Sequence, residues 1–195
     1  MMEFVANLIN SLANWLSSFG LIGGFLIIFL ESMIPVLPFS LFVGLNILAF
    51  GNFVGYTLSY VATVCGTFCV FLFFRYVIKK HFDKWIGKRK KKDKIDKAIY
   101  KVTHFDFNAL VVVLAIPFLP TSFLNVGGGL SDMDPKKYLL ALVISKISVT
   151  YFWGYIGKSL LESVKSPKIL IQIVIMLVIA YVVSKIIEKV FKLED

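Results

Sequence analysis

The chain has 195 residues, of which 58% are hydrophobic and 17% charged, and its mean hydropathy is +0.81. Soluble domains average roughly 45–50% apolar and about 25% charged residues, so this composition predicts an integral membrane protein. It excludes a soluble enzyme, a nucleic-acid binder and a secreted disulfide scaffold. Cys65 and Cys69 lie one helical turn apart, too close along one helix for an unstrained disulfide. His81 and His104 flank a basic stretch, so no metal site and no cofactor are predicted.

Residues 1–19 form the first predicted element. Apolar residues recur there at helical spacing, whereas Asn and Ser take the other face, and the first 18 residues contain no Lys or Arg. This pattern favours an amphipathic helix that lies in the membrane interface. The alternative is one long spanning helix that continues through Leu21–Leu30.

Three segments are predicted to cross the membrane. Residues 53–78 would measure roughly 39 Å as a helix at about 1.5 Å per residue, enough to cross with tilt. Residues 138–157 cross despite the interior Lys146, and residues 167–188 form a C-terminal span.

Two further apolar segments, 21–50 and 108–132, are each broken by a pair of prolines. Proline removes a backbone donor and breaks a helix. In lipid such a break survives only inside protein or beside a cavity. Each segment is therefore predicted to be a re-entrant hairpin. The four prolines are Pro35, Pro38, Pro117 and Pro120.

The two hairpins belong to an internal repeat. Pro35–Ser40 and Pro117–Ser122 match at four of six positions with an offset of 82 residues, and the same offset aligns Tyr56 with Tyr138 in the next span. Only one span separates the two hairpins, so they enter from opposite faces. The sequence thus predicts an all-α polytopic membrane protein with two inverted repeats. Each repeat is a re-entrant helical hairpin followed by a transmembrane helix.

The basic segment predicts the orientation. Residues 79–101 contain eleven Lys or Arg and three Asp, so loop 79–104 is expected to be cytoplasmic by the positive-inside rule. The C-terminus then lies on the same side of a multi-pass plasma-membrane protein. A basic amphipathic segment there would attract anionic lipids of the inner leaflet.

Three charged residues are candidates for transport or proton transfer. Glu31 lies at the end of an apolar half helix, where a carboxylate is costly and often functional. Lys146 lies in the middle of its span and is expected either to pair with Glu31, to meet a lipid phosphate or to act as a structural counter-ion. Arg75 lies near the cytoplasmic end of span 53–78, and the alternative there is an interfacial anchor.

Uncharged groups at the two breaks are candidates for lipid contact, because helix N-termini offer free N–H groups to a phosphate. Glycines let the backbone approach a ligand, although helix packing explains them equally well. With the four prolines, these residues are Ser40, Thr121, Ser122, Asn125, Gly127, Gly128 and Gly129.

Several ordered motifs over roughly residues 20–160 resemble the DedA family of SNARE-associated Golgi, or VTT-domain, membrane proteins. They are Glu31 before the first Pro-x-x-Pro, the second break running to Gly127-Gly128-Gly129-Leu130, and the closing Trp153-Gly154-Tyr155-Ile156-Gly157. The pattern is most similar to the yeast-Golgi-like branch, which has bacterial relatives.

The resemblance implies movement of lipids between leaflets. Bacterial members recycle undecaprenyl phosphate, eukaryotic relatives scramble phospholipids, and proton coupling has been proposed for some. This chain departs from the pattern, since Ser40 stands in place of a second acid and Leu114 and Thr121 in place of arginines. The arginine-based phosphate site is therefore not carried over.

The sequence and the resemblance together predict a flippase or scramblase for a phosphate-bearing lipid, either a polyprenyl phosphate or a phospholipid. The alternatives are an ion or small-solute carrier and a non-catalytic membrane assembly factor. No enzymatic activity and no nucleic-acid partner are expected. Self-association into a homo-oligomer is left open.

Overall fold

A computed structural model describes residues 2–34, 39–81, 105–117 and 122–162, together with Ile175, Val178, Tyr181 and Val182. These residues form seven α-helices, and no strand occurs among them. The all-helical class predicted from the sequence is confirmed. The predicted C-terminal span at 167–188 and most of the basic loop, from residue 82 to 104, lie outside the part of the chain that the structure describes.

Helix α1 (Met2–Ser18) and helix α2 (Gly20–Met33) are separate elements. Their axes meet at a bend of 108°. Gly20 has a φ of +64°, in the left-handed region that favours glycine. Residues 1–30 are therefore not one continuous helix, which was the alternative left open by the sequence.

Helix α3 (Phe39–Phe50) is followed almost directly by α4 (Asn52–Phe73). The turn between them depends on Gly51, whose φ is +82°. After α4 the chain continues through a π-helical turn, Phe74–Ile78. The predicted span 53–78 thus lies within one helical segment, Asn52–His81.

The second half of the chain repeats this order. Helix α5 (Phe107–Ala115) begins at Asp106, whose side chain accepts a hydrogen bond from the Ala109 N–H at 2.7 Å. Helix α6 (Ser122–Leu130) follows, and α7 (Pro135–Glu162) contains the predicted span 138–157. Two short helices and then a long one therefore occur twice.

Two of the described helices are long and apolar enough to cross a membrane, Asn52–His81 and Pro135–Leu161. Residues 11–18 with α2 make a third span if that bent pair is counted as one. These lengths agree with a polytopic membrane protein.

The two long helices are antiparallel neighbours. Tyr56, near the start of α4, stacks on Tyr151 with ring centroids 5.5 Å apart, whereas Phe71, near its end, stacks on Tyr138 at 4.3 Å. The short helices pack on them in a crossed pattern. Helices α2 and α5 contact the long helix of their own half, α6 packs on α4, and α3 packs on both α7 and α4.

The described core comprises three apolar clusters, of which the smallest centres on Ala13, Leu16 and Leu45. Of the other two, the first centres on Ile28, Val43, Ile47 and Ala62, and the second includes Phe71, Leu110, Leu114, Tyr138 and Leu142. The backbones of α3 and α7 come closest at Gly157, where an added Cβ would lie 1.7 Å from the Ser40 carbonyl oxygen.

Candidate transport site

Two oppositely charged side chains are buried near the middle of the long helices. Glu31 is 9% exposed and Lys146 is 5% exposed. Lys146 lies eleven residues after the first residue of α7, a helix of 28 residues. Glu31 precedes Ser32, whose Cβ packs over Gly66, and Gly66 lies fourteen residues into the 30-residue segment Asn52–His81. Both charges therefore lie at the depth of the centres of the spans.

The charges of Glu31 and Lys146 interact electrostatically. No salt bridge joins Glu31 to Lys146, however, whereas Lys79 and Asp132 form an ion pair at 2.6 Å. Lys and Glu are almost never this buried unless they are paired. The structure thus places two of the three charged residues predicted from the sequence within electrostatic range of each other. No direct hydrogen bond joins the two side chains.

A hydroxyl close in sequence to each buried charge has no hydrogen-bond partner among the described residues. Ser32 follows Glu31 directly, and Thr150 lies one helical turn after Lys146. Within the described parts of the chain, the Ser32 Oγ and Thr150 Oγ1 atoms are buried without a hydrogen-bond partner. Buried polar groups are nearly always hydrogen-bonded. A buried hydroxyl that is available for hydrogen bonding within the described structure therefore lies close in sequence to each of the two charges.

Arg75 lies elsewhere. It is in the π-helical turn after α4, and its guanidinium donates to the Ser131 carbonyl at 2.7 Å. Arg75 is nine residues beyond Gly66, which corresponds to about 14 Å along the helix. The structure therefore does not join it to Glu31 and Lys146, and its contact ties the end of α4 to the end of α6.

The predicted lipid-contact residues of the first break are only partly described. Pro35 and Pro38 lie outside the described residues. Ser40 lies in the first turn of α3, and its carbonyl oxygen lies against Gly157 of α7. This contact belongs to the close packing of α3 on α7.

At the second break, Pro117 is described, whereas Pro120 and Thr121 lie outside the described residues. The Pro117 carbonyl accepts a hydrogen bond from the Trp153 indole N–H at 3.2 Å. Ser122 is exposed at the start of α6. The second break is thus hydrogen-bonded to the Trp153–Gly157 motif, which lies near the end of α7.

The remaining predicted residues, in α6, lie in packing contacts. The side chain of Asn125 is buried and accepts a hydrogen bond from the Tyr138 hydroxyl. Gly129 lies against the Phe71 carbonyl and Phe74, and Gly128 lies against the Phe71 ring. The Gly127 carbonyl accepts from the Ser131 N–H at 2.9 Å.

Sequence reasoning did not single out the polar residue at the centre of the first half. Asn46 is fully buried, and its amide donates at 3.0 Å both to the Gly24 carbonyl and to Ser59 Oγ. It joins α2, α3 and α4. The available signal for Asn46 was an amide within the mostly apolar run Phe39–Phe50. The available signal for Ser32 and Thr150 was their position, one residue after Glu31 and one helical turn after Lys146.

No group of three or more His, Cys, Asp or Glu residues suited to a metal ion occurs in the described ranges. Cys65 and Cys69 are free thiols.

Comparison with known proteins identifies the family. The VTT domain family model matches residues 37–159, which is more than half of the chain. The chain belongs to the VTT-domain, or DedA, family. The VTT domain of this protein runs from the end of the first break to the end of α7. It includes Lys146, whereas Glu31 lies six residues before the matched range.

Three relatives agree with this assignment. The membrane protein YhjE of Bacillus subtilis is 27% identical over 77% of this chain and 71% of its own length. The B. subtilis protein YqeD is 30% identical over 66% of this chain and 61% of its own length. The Golgi apparatus membrane protein TVP38 of Debaryomyces hansenii is 26% identical over 72% of this chain and 37% of its own length. No solved structure matches.

The VTT domain and the membrane-protein relatives, with the long apolar helices, establish that this is a membrane protein. None of the three relatives bears the name of an enzyme. The absence of enzymatic activity stays a prediction.

Proposed function

We propose that the protein moves a phosphate-bearing lipid between the two leaflets, as a flippase or scramblase. The observation that carries the proposal is the buried set of Glu31, Lys146, Ser32 and Thr150 at mid-span depth. Charges in a span are costly and mark transport pathways more often than packing sites. A headgroup phosphate would bind the Lys146 ammonium and accept hydrogen bonds from the two hydroxyls.

The proposal includes an inverted repeat of two re-entrant hairpins, and contacts at the ends of the helices support it. In the first half, Gly24 near the start of α2 lies close to Phe50 at the end of α3. In the second half, Lys137 at the start of α7 donates to the Phe105 carbonyl before α5. Ser131, which follows α6, lies at the same end of the protein as Lys137. Its carbonyl accepts a hydrogen bond from Arg75, in the turn that follows α4. Each hairpin would thus begin and finish at one end of the protein, and the two ends are opposite.

The crossed packing of the short helices supports the same repeat. A two-fold axis that exchanges α4 with α7 would relate the α2–α4 contact to the α5–α7 contact and the α3–α7 contact to the α6–α4 contact. The further contact of α3 with α4 has no comparable counterpart between the described parts of α6 and α7. Transporters built on inverted repeats bind their substrates near the midplane, where broken helices meet. Glu31 and Lys146 come from opposite halves and both lie at that depth.

Glu31 is proposed as the proton carrier or as the group that positions the headgroup. It faces the site from the first hairpin, whereas Lys146 faces it from the span of the second half. If a phosphate displaces the carboxylate from the field of Lys146, Glu31 becomes free to take up a proton. This would couple lipid binding to protonation in a single buried pair.

The orientation and partners are part of the proposal. Lys79, Lys80, Lys136 and Lys137 lie at the end where α4 finishes and α7 begins. With the basic segment 79–101, they support a cytoplasmic position for this end, by the positive-inside rule, in the plasma membrane. Anionic lipids of the inner leaflet are the partners proposed for that segment.

A leaflet-exchange assay tests the function. The purified protein is reconstituted in vesicles that carry a trace of a labelled phospholipid, a labelled polyprenyl phosphate or a labelled diacylglycerol without phosphate. Exchange is read as the fraction of label accessible to an external quencher over time. We expect the protein to accelerate exchange of the phosphate-bearing lipids over empty vesicles.

Glu31→Gln is expected to slow this exchange by about tenfold or more, equivalent to about 1.4 kcal/mol, while the folded protein stays abundant. Asp132→Asn, which changes an exposed acid, is the matched control and should exchange lipid at the wild-type rate. Absence of lipid exchange together with flux of ions or solutes would establish a carrier instead. Absence of both would favour the assembly-factor alternative.

A further inference from the structure

Helix α1 lies across the direction of the spans. Helix α2 runs alongside α4 in the same sense, because Gly24 lies near Leu58 and Phe29 lies near Gly66. The bend between residues 11–18 and α2 is 108°, which is within 18° of a right angle. With α4 crossing the bilayer, α1 extends along the membrane surface.

One side of α1 contacts the protein and another is open. Ala13 and Leu16 are buried in a cluster with Leu45 of α3. Leu12, Trp15 and Phe19, in contrast, are 40%, 57% and 57% exposed. Trp and other large apolar side chains at this position are typical of helices that insert shallowly at the interface.

The polar side of α1 has no Lys or Arg. Asn7, Ser11, Asn14, Ser17 and Ser18 are exposed. The Ser17 and Ser18 hydroxyls donate back to the carbonyls of Asn14 and Trp15, at 2.8 and 2.6 Å. The first Lys or Arg in the chain is Arg75, and the charged residue of α1 is Glu3.

Surface helices usually bind membranes through two terms, burial of apolar area and attraction of Lys or Arg to anionic lipids. Helix α1 has only the first. Insertion of Leu12, Trp15 and Phe19 requires space between headgroups, so its free energy depends on how loosely the lipids are packed. Without a cation, it gains nothing from anionic headgroups.

We infer that α1 is a lipid-packing-sensitive surface helix, whose partner is a loosely packed leaflet surface regardless of headgroup charge. Its contacts indicate which surface. The cluster around Ala13 and Leu16 includes Phe50 and Leu161, so α1 lies at the end where α3 and α7 finish, opposite Lys79. Because α1 packs on α3, its depth in the lipid acts on the first hairpin.

The test places an environment-sensitive fluorophore on the full-length protein in a Cys65→Ala, Cys69→Ala background. One protein carries Leu12→Cys, on the exposed apolar side. The matched control carries Asn14→Cys, two residues on and about 200° around the helix. Each is reconstituted in loosely packed dioleoyl vesicles and in tightly packed saturated-chain vesicles with sterol, with anionic lipid set to zero or to about a third of the total.

We expect the Leu12→Cys probe to shift its emission to the blue and to be quenched more by shallow lipid-borne quenchers in the loose vesicles. The Asn14→Cys probe should change little, and anionic lipid should alter neither. The inference is overturned if the Leu12→Cys signal is the same in both packings, if it follows the anionic fraction, or if both probes respond alike.

A gain-of-charge variant keeps the test decisive if a labelled protein folds poorly. Asn14→Lys with Ser18→Lys adds two cations to the polar side. Quenching of Trp15 in a Trp85→Phe, Trp153→Phe background, which leaves Trp15 as the single tryptophan, should then rise with anionic lipid when brominated lipids are used, whereas the parent with the same two Trp→Phe changes should not respond. A parent that responds equally to anionic lipid would contradict the inference. This readout does not depend on lipid transport, so it stands or fails separately from the proposed function.

Discussion

At the scale of single residues, the decisive feature is that Glu31 and Lys146 are buried without a salt bridge to each other. A buried ion pair that serves only stability is normally closed by direct hydrogen bonds, since each ion loses several kcal/mol of hydration. Here the charges interact without a salt bridge, and the hydroxyls of Ser32 and Thr150 lack partners in the described chain. This buried polar set in an apolar layer is the observation on which the transport proposal rests.

The sequence predicted which residues carry charge in the membrane layer and left pairing with Glu31 as one of three alternatives for Lys146. The depth of a residue in the membrane follows from its position along an apolar run. Glu31 and Lys146 could therefore be recognised from the sequence as charges within the membrane. Arg75 and Asn125 were not assignable to a partner, because the contacts of Arg75 with Ser131 and of Asn125 with Tyr138 depend on how α6 docks on the long helices.

The ion pair of Lys79 with Asp132 gives a prediction on pH. The hydrogen bond from Lys79, and then its charge, hold the pKa of Asp132 below its ordinary value of 3.8. Because the pKa of Asp132 is lower in the folded state, its ionised carboxylate stabilises that state fully when the pH is above the ordinary pKa. This contribution disappears as the pH falls through the pKa of the folded state. Asp132→Asn should therefore lower the free energy of unfolding at pH 7 by at most about 1 kcal/mol, since the carboxylate is 91% exposed.

Thermal unfolding of the two proteins in detergent at a series of pH values measures this difference. We expect it to persist from pH 7 to about pH 4, to vanish in more acidic buffer, and to shrink in high salt. A difference that grows on acidification would contradict the assignment.

At the scale of helices, the breaks and close approaches decide the architecture. Gly20 and Gly51 allow the chain to turn with positive φ before α2 and before α4. Gly157 lets α7 contact the α3 backbone at Ser40. The sequence predicted both long helices, because long apolar runs have few other ways to satisfy their backbone in lipid. It left the junction of α1 and α2 open, because apolar periodicity continues across Gly20 and only the backbone reveals the bend.

Gly157→Ala is expected to be strongly destabilising. The added methyl group would lie 1.7 Å from the Ser40 carbonyl oxygen, so α3 and α7 must separate. Overpacking of this kind costs typically about 1–3 kcal/mol or more, which exceeds the gain of up to about 1 kcal/mol from replacing a helical glycine.

Gly128→Ala is the matched control, because its methyl group would meet the Phe71 ring at 3.2 Å, a milder contact. Melting temperatures of the two variants in the same detergent compare them. Equal stabilities would show that the α3–α7 approach is not tight.

At the scale of the whole molecule, lipid transport requires that the two halves meet around one site. The 82-residue repeat in the sequence, the antiparallel long helices and the crossed packing of the short helices are three separate observations consistent with that arrangement. The family assignment covers residues 37–159 and reaches both halves. The repeat was predictable because proline breaks are conspicuous in apolar sequence, whereas the crossed packing was not, since it depends on contacts between distant segments.

The measurement that tests the central proposal most directly is a double-mutant cycle on leaflet exchange. Wild-type protein, Glu31→Gln, Lys146→Met and the double variant are reconstituted at equal folded abundance, with Lys136→Met, an exposed lysine of α7, as the control. If the two residues act as one site across the halves, both single variants lose exchange and Lys136→Met does not. The double variant should then lose less than the two single losses combined, with a coupling of about 0.5–3 kcal/mol. Wild-type exchange in both single variants, or losses that add within about 0.5 kcal/mol, would contradict the account.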